Sequence, residues 1–163
     1  MPPIDAIPLN LVEVYRKVGD APVGAVLQIA PGDFSQDTNV VVLRCLQKTA
    51  NGQSDGFVFL EGAIAGMFVT DGPLLDRTAI DLGNIAEIVV HEFSLSEPIK
   101  GGDVCHANGS ILCIAVTYPN APASIVGYAR LEAPRMGHIE GATEHIRVGR
   151  PSVRQRKSDE PSD

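Results

Sequence analysis

Short runs rich in Val, Ile and Leu recur along this chain, and each is bounded by Pro, Gly or Asn. They are "LNLVEVYRKV" (Leu9–Val18), "VGAVLQIA" (Val23–Ala30), "NVVVLRCLQKT" (Asn39–Thr49), "IAEIVVHEFSL" (Ile85–Leu95), "SILCIAVTYP" (Ser110–Pro119), "ASIVGYARLEA" (Ala123–Ala133) and "EHIRVG" (Glu144–Gly149). "GDAP" separates the first two as a turn-like cluster, and "ANGQSDG" is a clear loop. Strand-type runs at regular spacing, joined by short polar turns, favour antiparallel pairing. No internal repeat or low-complexity block interrupts the pattern.

A length of 163 residues suits one domain. Aromatic residues make up 5% and Trp is absent, so the core must be built from Val, Ile, Leu and Ala. The net charge of −7 argues against a nucleic-acid-binding body, because phosphate contacts need clustered Lys and Arg. The charge is uneven. Residues 1–146 carry 8 basic and 17 acidic side chains, whereas 147–163 carry 5 basic and 3 acidic. Residues 1–146 are therefore expected to form a single globular domain. Residues 147–163, with "RVGRPSVRQRK" followed by "SDEPSD", are expected to be a polar, basic-then-acidic C-terminal tail. An electrostatic arm for an acidic partner is the functional version of that tail.

The N-terminus lacks the basic and apolar regions of a secretory signal. No run reaches the ~18 apolar residues of a spanning helix, so no membrane span is expected and the cytoplasm is the default compartment. Three cysteines without a C-x-x-C spacing suggest neither a disulfide framework nor a zinc knuckle. Nothing in the sequence calls for a cofactor or a metal.

"GFVFLEGAIAGMFVT", Gly56 to Thr70, is apolar on every side except Glu61. As a helix it places Phe57, Glu61, Ile64 and Phe68 on one face. Gly62 and Gly66 would then allow close packing on a sheet, each at about 1 kcal/mol of helix propensity. As strands it breaks into "FVFL" and "AIAGMFVT" around a turn or bulge at Glu61-Gly62. Periodicity does not separate the two forms in a run that is apolar all round. The helix is the preferred expectation.

"KGGDVCHANGSIL", Lys100 to Leu112, brings aspartate, cysteine and histidine close in sequence. Asn108-Gly109 is a two-residue type I′ hairpin signal. The expected pairing is Ala107 with Ser110, His106 with Ile111, Cys105 with Leu112 and Val104 with Cys113. Alternation then sends Cys105 and His106 to opposite faces, so they cannot form a thiolate–imidazole pair. It also sends Cys105 and Cys113 to opposite faces. A thiol among Val, Ile and Leu is usually a buried, unreactive one. His91, on "EIVVHEF", and His106 could serve a site only with residues from elsewhere. His138 and His145 lack a tight metal spacing.

"FSLSEPIKGGDV" (Phe93–Val104) resembles the strand–turn–strand of hotdog-fold proteins, the acyl-carrier-protein dehydratases and acyl-CoA thioesterases. The matching positions are Phe93, Pro98, Ile99, Gly102 and Asp103. "GFVFLEGAIAG" is similar to the start of that family's central helix, with Gly56 and Glu61 at the dehydratase spacing, and "ASIVGYARLEA" is similar to its closing strand. The His-Phe-Pro-Gly motif of the dehydratases has no counterpart in "LQKTANGQSDG". The resemblance implies an α+β, predominantly antiparallel sheet around one central helix, and a homo-oligomer. It also implies an apolar or acyl small molecule as partner, with dehydratase- or thioesterase-type action on an acyl thioester. Catalysis would fall to Glu61, as a desolvated acid or base, with His91 and His106 as candidate substitutes for the missing histidine.

The alternative is an all-β antiparallel barrel or sandwich without catalysis. It would bind an apolar small molecule or serve as a structural or assembly subunit. A binder should carry an apolar cavity of several hundred Å3, as small-molecule sites do. An adaptor acting through Arg147–Lys157 is the third reading.

Overall fold

The computed structural model describes residues 14–29, 40–62, 64–70, 75–82, 86–92, 98–119, 124–132, 135–142 and 144–155. Among the described residues twelve strands follow one another: β1 (Val14–Lys17), β2 (Val26–Ile29), β3 (Val40–Thr49), β4 (Gly52–Phe59), β5 (Phe68–Val69), β6 (Thr78–Asp81), β7 (Ala86–Glu92), β8 (Val104–Ala107), β9 (Ile111–Val116), β10 (Gly127–Arg130), β11 (His138–Glu140) and β12 (His145–Gln155). A 3-10 turn, Val18–Asp20, follows β1.

The strands form one sheet in the order β1-β6-β2-β3-β11-β10-β9-β8-β12-β7, with β4 lying against both β3 and β5. The ladders are antiparallel except for β3 with β11. The sheet also closes on itself. Met67 bridges to Thr117, where the Phe68 N–H donates to the Thr117 carbonyl at 2.8 Å and the Thr117 N–H to the Gly66 carbonyl at 2.9 Å. The path β3-β4-β5-β9-β10-β11 and back to β3 is therefore a barrel. Closure pairs edges that would otherwise stay open.

One row of side chains from each barrel strand fills the interior. Leu43 and Cys45 of β3, Val58 of β4, Phe68 of β5, Ile114 and Val116 of β9, Ala129 of β10 and Ile139 of β11 form one buried cluster. A second cluster lies outside the barrel wall. Val42, Phe57 and Phe59 face outward there and are covered by Val18, Leu27, Ile29 and Ala79. Arg44, on this outer row, is 5% exposed; its guanidinium donates to the Gly56 carbonyl at 2.8 Å and the Gly19 carbonyl at 3.3 Å, tying the 3-10 turn to the barrel. A third cluster, with Cys105, Cys113, Ala115 and Tyr128, covers the outer face of β8, β9 and β10.

These observations correct the expected hotdog arrangement. No central helix spans Gly56–Thr70; the segment is the end of β4, a turn and β5. It is apolar on all sides because β4 is buried on both. Phe57 and Phe59 enter the outer core, while Val58 enters the barrel. A strand covered on both faces reads as a continuous apolar run. Gly62 and Gly66 have φ of 87° and 89°, in the left-handed region, which ends any helix there. The all-β alternative describes the molecule.

The hairpin register differs by one residue from the expected one. Asn108 (φ 48°) and Gly109 (φ 104°) are left-handed as the Asn-Gly signal implies, but Ser110 joins the loop and the last pair is Ala107 with Ile111. The cause is outside the hairpin: the Asn108 N–H donates to the Glu144 carbonyl at 2.8 Å. The slip puts Cys105 directly opposite Cys113, on one face instead of two. Both are free and buried.

The basic segment read as a tail runs in the sheet as far as Gln155. β12 pairs with β8 over His145–Gly149 and with β7 over Gly149–Gln155. Arg156, Lys157 and the acidic end lie outside the described residues, as do Phe93 and the first half of "LNLVEVYRKV". Among the described residues no helix is long and apolar enough to cross a membrane.

Candidate functional site

Two turns meet where the barrel closes. The first, residues 60–67, joins β4 to β5; the second, Pro98–Asp103, leads into β8. They approach backbone to backbone. A Cβ on Gly66 would lie 2.1 Å from the Gly102 nitrogen, and one on Gly102 would lie 2.6 Å from the Ala65 carbonyl oxygen. Only glycine at both positions allows this contact, and both have φ near +90°. Above the contact is an open cleft of about 540 Å3. Ile64, Met67 and Ile99 give it an apolar wall, and Lys100 and Arg150 stand on its cationic side. Ile64 is 39% exposed, although its neighbours Leu60 and Phe68 are buried.

The cationic side is built on one buried carboxylate. Asp103 is fully buried. Its Oδ2 accepts from the Lys100 backbone N–H at 2.8 Å and lies 2.9 Å from the Arg147 Nε, while its Oδ1 lies 3.2 Å from the Arg150 Nε. Arg147 is nearly buried; the Arg150 side chain is 42% exposed and reaches the cleft. β12 places both arginines, and its bulge between Arg147 and Gly149 brings both to the same carboxylate.

Glu61 precedes Gly62 of the cleft wall in sequence and is not itself part of the lining. It is half-buried, and its Oε2 accepts the Val153 N–H at 2.6 Å. β8 pairs with β12 only as far as Gly149, so the carboxylate caps the strand edge that β8 leaves. The buried, desolvated setting expected for this residue is not the one found. His91 lies on β7, exposed, with its Nε2 2.7 Å from the Ser152 hydroxyl. His106 lies half-buried on β8 between Leu112 and Ile146 of the neighbouring strands. No hydrogen bond among the described residues joins Glu61, His91 and His106 to one another.

The cysteine beside His106 is inert. Cys105 faces the third cluster and His106 the other side of the sheet, as alternation requires. Burial, followed by the nearby Asp103 and Cys113, pushes the Cys105 thiol up to about 12, and burial pushes Cys113 up to about 11. Burial raises Cys45 still further. The thiolate is the nucleophilic and metal-binding form, and burial disfavours it at all three positions. Among the described residues no group of three His, Cys, Asp or Glu could hold a metal.

A second open cleft, about 430 Å3, includes Lys48, Arg135, His138 and Glu140. Its charges largely answer one another: Glu140 is 3.0 Å from both Arg130 and Arg135. Sequence reasoning missed Arg150 because it fell in the segment read as a tail. Asp103 was identified only as part of a turn. The visible signal was "PIKGGD": an aspartate whose carboxylate and N–H can both bond three residues back is a turn-former, and its second oxygen is then left for a partner. Comparison with protein-family models, curated proteins and solved structures finds no match to this chain.

Proposed function

We propose that this chain is a non-catalytic ligand-binding β-barrel whose cleft takes a small amphipathic monoanion, such as a medium-chain carboxylate. The supporting observation is the joining of an apolar wall and a cationic side in one cleft, at a size usual for small-molecule sites. The hydrocarbon part would lie on Ile64, Met67 and Ile99. The acid group would meet Arg150 and Lys100.

Lys100 and Arg150 present positive charge to the cleft, which the acid group of such a ligand would meet. The hydrogen bond that the Arg150 Nε donates to Asp103 fixes the root of the guanidinium, so less side-chain freedom is lost on binding.

A thioester-processing reading would need Glu61 to transfer protons. Its Oε2 is instead taken up by the β12 backbone, which favours the binding role. Calorimetry with octanoate, octanol and inorganic phosphate is the test. Octanoate should bind with a sub-millimolar Kd, about −4 to −6 kcal/mol, and octanol and phosphate at least tenfold more weakly. Arg150→Gln should remove the preference for octanoate over octanol. Equal affinity for octanol and octanoate, or no binding of either, defeats the proposal.

A further inference from the structure

β7 ends the sheet: β12 lies on one side of it, and no described strand lies on the other. The direction of its backbone groups follows from its neighbour. The Val153 N–H of β12 points away from β7, because it donates to Glu61. Pro151 has no N–H to give. Val153–Ile88 and Pro151–Val90 are thus the non-hydrogen-bonded pairs, and Arg154–Glu87, Ser152–Val89 and Arg150–His91 are the bonded ones. Ile88 and Val90 must therefore turn their N–H and C=O groups outward.

Among the described residues this edge lacks the proline, lysine or bulge that often protects one. It runs for seven residues, "AEIVVHE", with no Pro, no Lys and no Gly to bulge it. Natural sheets usually blunt such an edge. β1, at the other end of the sheet, has four residues and carries Arg16 and Lys17.

We infer that β7 pairs with β7 of a second copy of this chain, antiparallel, about a two-fold axis at Val89. In that register Ile88 of each copy exchanges two backbone hydrogen bonds with Val90 of the other, using the groups that point outward. Val89 meets its own counterpart at a close, non-hydrogen-bonded position. Glu87 comes opposite His91, a carboxylate acceptor facing an imidazole donor, while Ile88 meets Val90, apolar on apolar. Neighbouring registers lose this match: an axis at Ile88 sets Glu87 against Val89, and an axis at Val90 sets His91 against Val89. Both polar groups are already oriented, Glu87 by Arg154 at 2.6 Å and His91 by Ser152 at 2.7 Å. Isologous contacts of this kind need a self-complementary edge.

Val89→Cys tests the register directly. Under diamide, which takes two electrons and two protons from a pair of thiols, the folded variant should form a covalent dimer across the two-fold axis. The three native thiols are buried and should not react. Val90→Pro removes an outward N–H while leaving the bonds to β12 intact. It should weaken dimerisation at least tenfold by light scattering, with an unchanged far-UV spectrum. A wild-type mass of 17.3 kDa at every concentration up to several hundred micromolar overturns the inference. So does a dimer in which the Val89→Cys variant fails to cross-link, since another surface would then hold it. If Val90→Pro does not fold, the cross-link and the wild-type mass decide.

Discussion

Replacing Asp103 by Asn removes one negative charge and little volume. The cost follows from who loses a partner. Arg147 is the main loser: its side chain is 3% exposed and its Nε sits 2.9 Å from the carboxylate. Breaking a buried ion pair from one side costs about 3–5 kcal/mol, because the remaining charge stays desolvated. Arg150, 42% exposed, can turn to water, so its share is about 0–1 kcal/mol. Asp103→Asn should therefore destabilise by about 3–5 kcal/mol, a fall in Tm of roughly 10 °C for a domain of this size. Arg150→Gln should cost less than about 1 kcal/mol. The double variant Asp103→Leu/Arg147→Met removes both buried charges and should recover most of the loss. Urea unfolding at constant m value reads all three. An Asp103→Asn loss below about 1 kcal/mol, or a double variant worse than the single, would refute the assignment of the energy to a buried charge pair.

Gly66→Ala forces a Cβ to within 2.1 Å of the Gly102 nitrogen at a φ of 89°; strain and overpacking together should cost about 3–5 kcal/mol, measured as the shift in urea midpoint. Glu61→Ala should cost about 1–2 kcal/mol and speed hydrogen exchange at Val153, whereas Glu61→Gln, which keeps an acceptor, should leave that amide protected. The buried thiols make stability fall in alkali. Their folded values lie above the ordinary 9.0, so their contribution is complete below about pH 9 and is lost as the pH rises towards 11–12. Each removes up to about 1.4 kcal/mol per pH unit in that window. Replacing Cys105 and Cys113 by Ala should flatten the decline between pH 9 and 11 in urea titrations; an unchanged slope would contradict it.

What could be read from the sequence was local. β-branched runs between Pro, Gly and Asn gave the strand positions of β3, β7, β9 and β10, and the scarcity of aromatics matched a barrel filled mainly by Val, Ile and Leu. Alternation correctly parted Cys105 from His106. What failed depended on distant partners. Phe57 and Val58 give no sign that their strand is covered on both sides until the layer carrying Leu27 and Ile29 is in place. The Asn108-Gly109 turn took a third residue because Glu144, far along the chain, holds Asn108. Arg147 and Arg150 looked like solvated charges because their counter-ion, Asp103, lies more than forty residues earlier. The short strands β5 and β11 are too brief to show a period, yet both take part in closing the barrel. The cleft inherits this difficulty, since its two walls meet only through that closure.

The most direct measurement is a methyl and amide NMR titration with octanoate. Shifts should concentrate at Ile64, Met67, Ile99, Lys100 and Thr117, saturate in the sub-millimolar range, and bring the Arg150 Nε–H resonance with them. Shifts confined to other surfaces, or a spectrum indifferent to octanoate at millimolar concentration, would contradict the assignment of the cleft as the binding site.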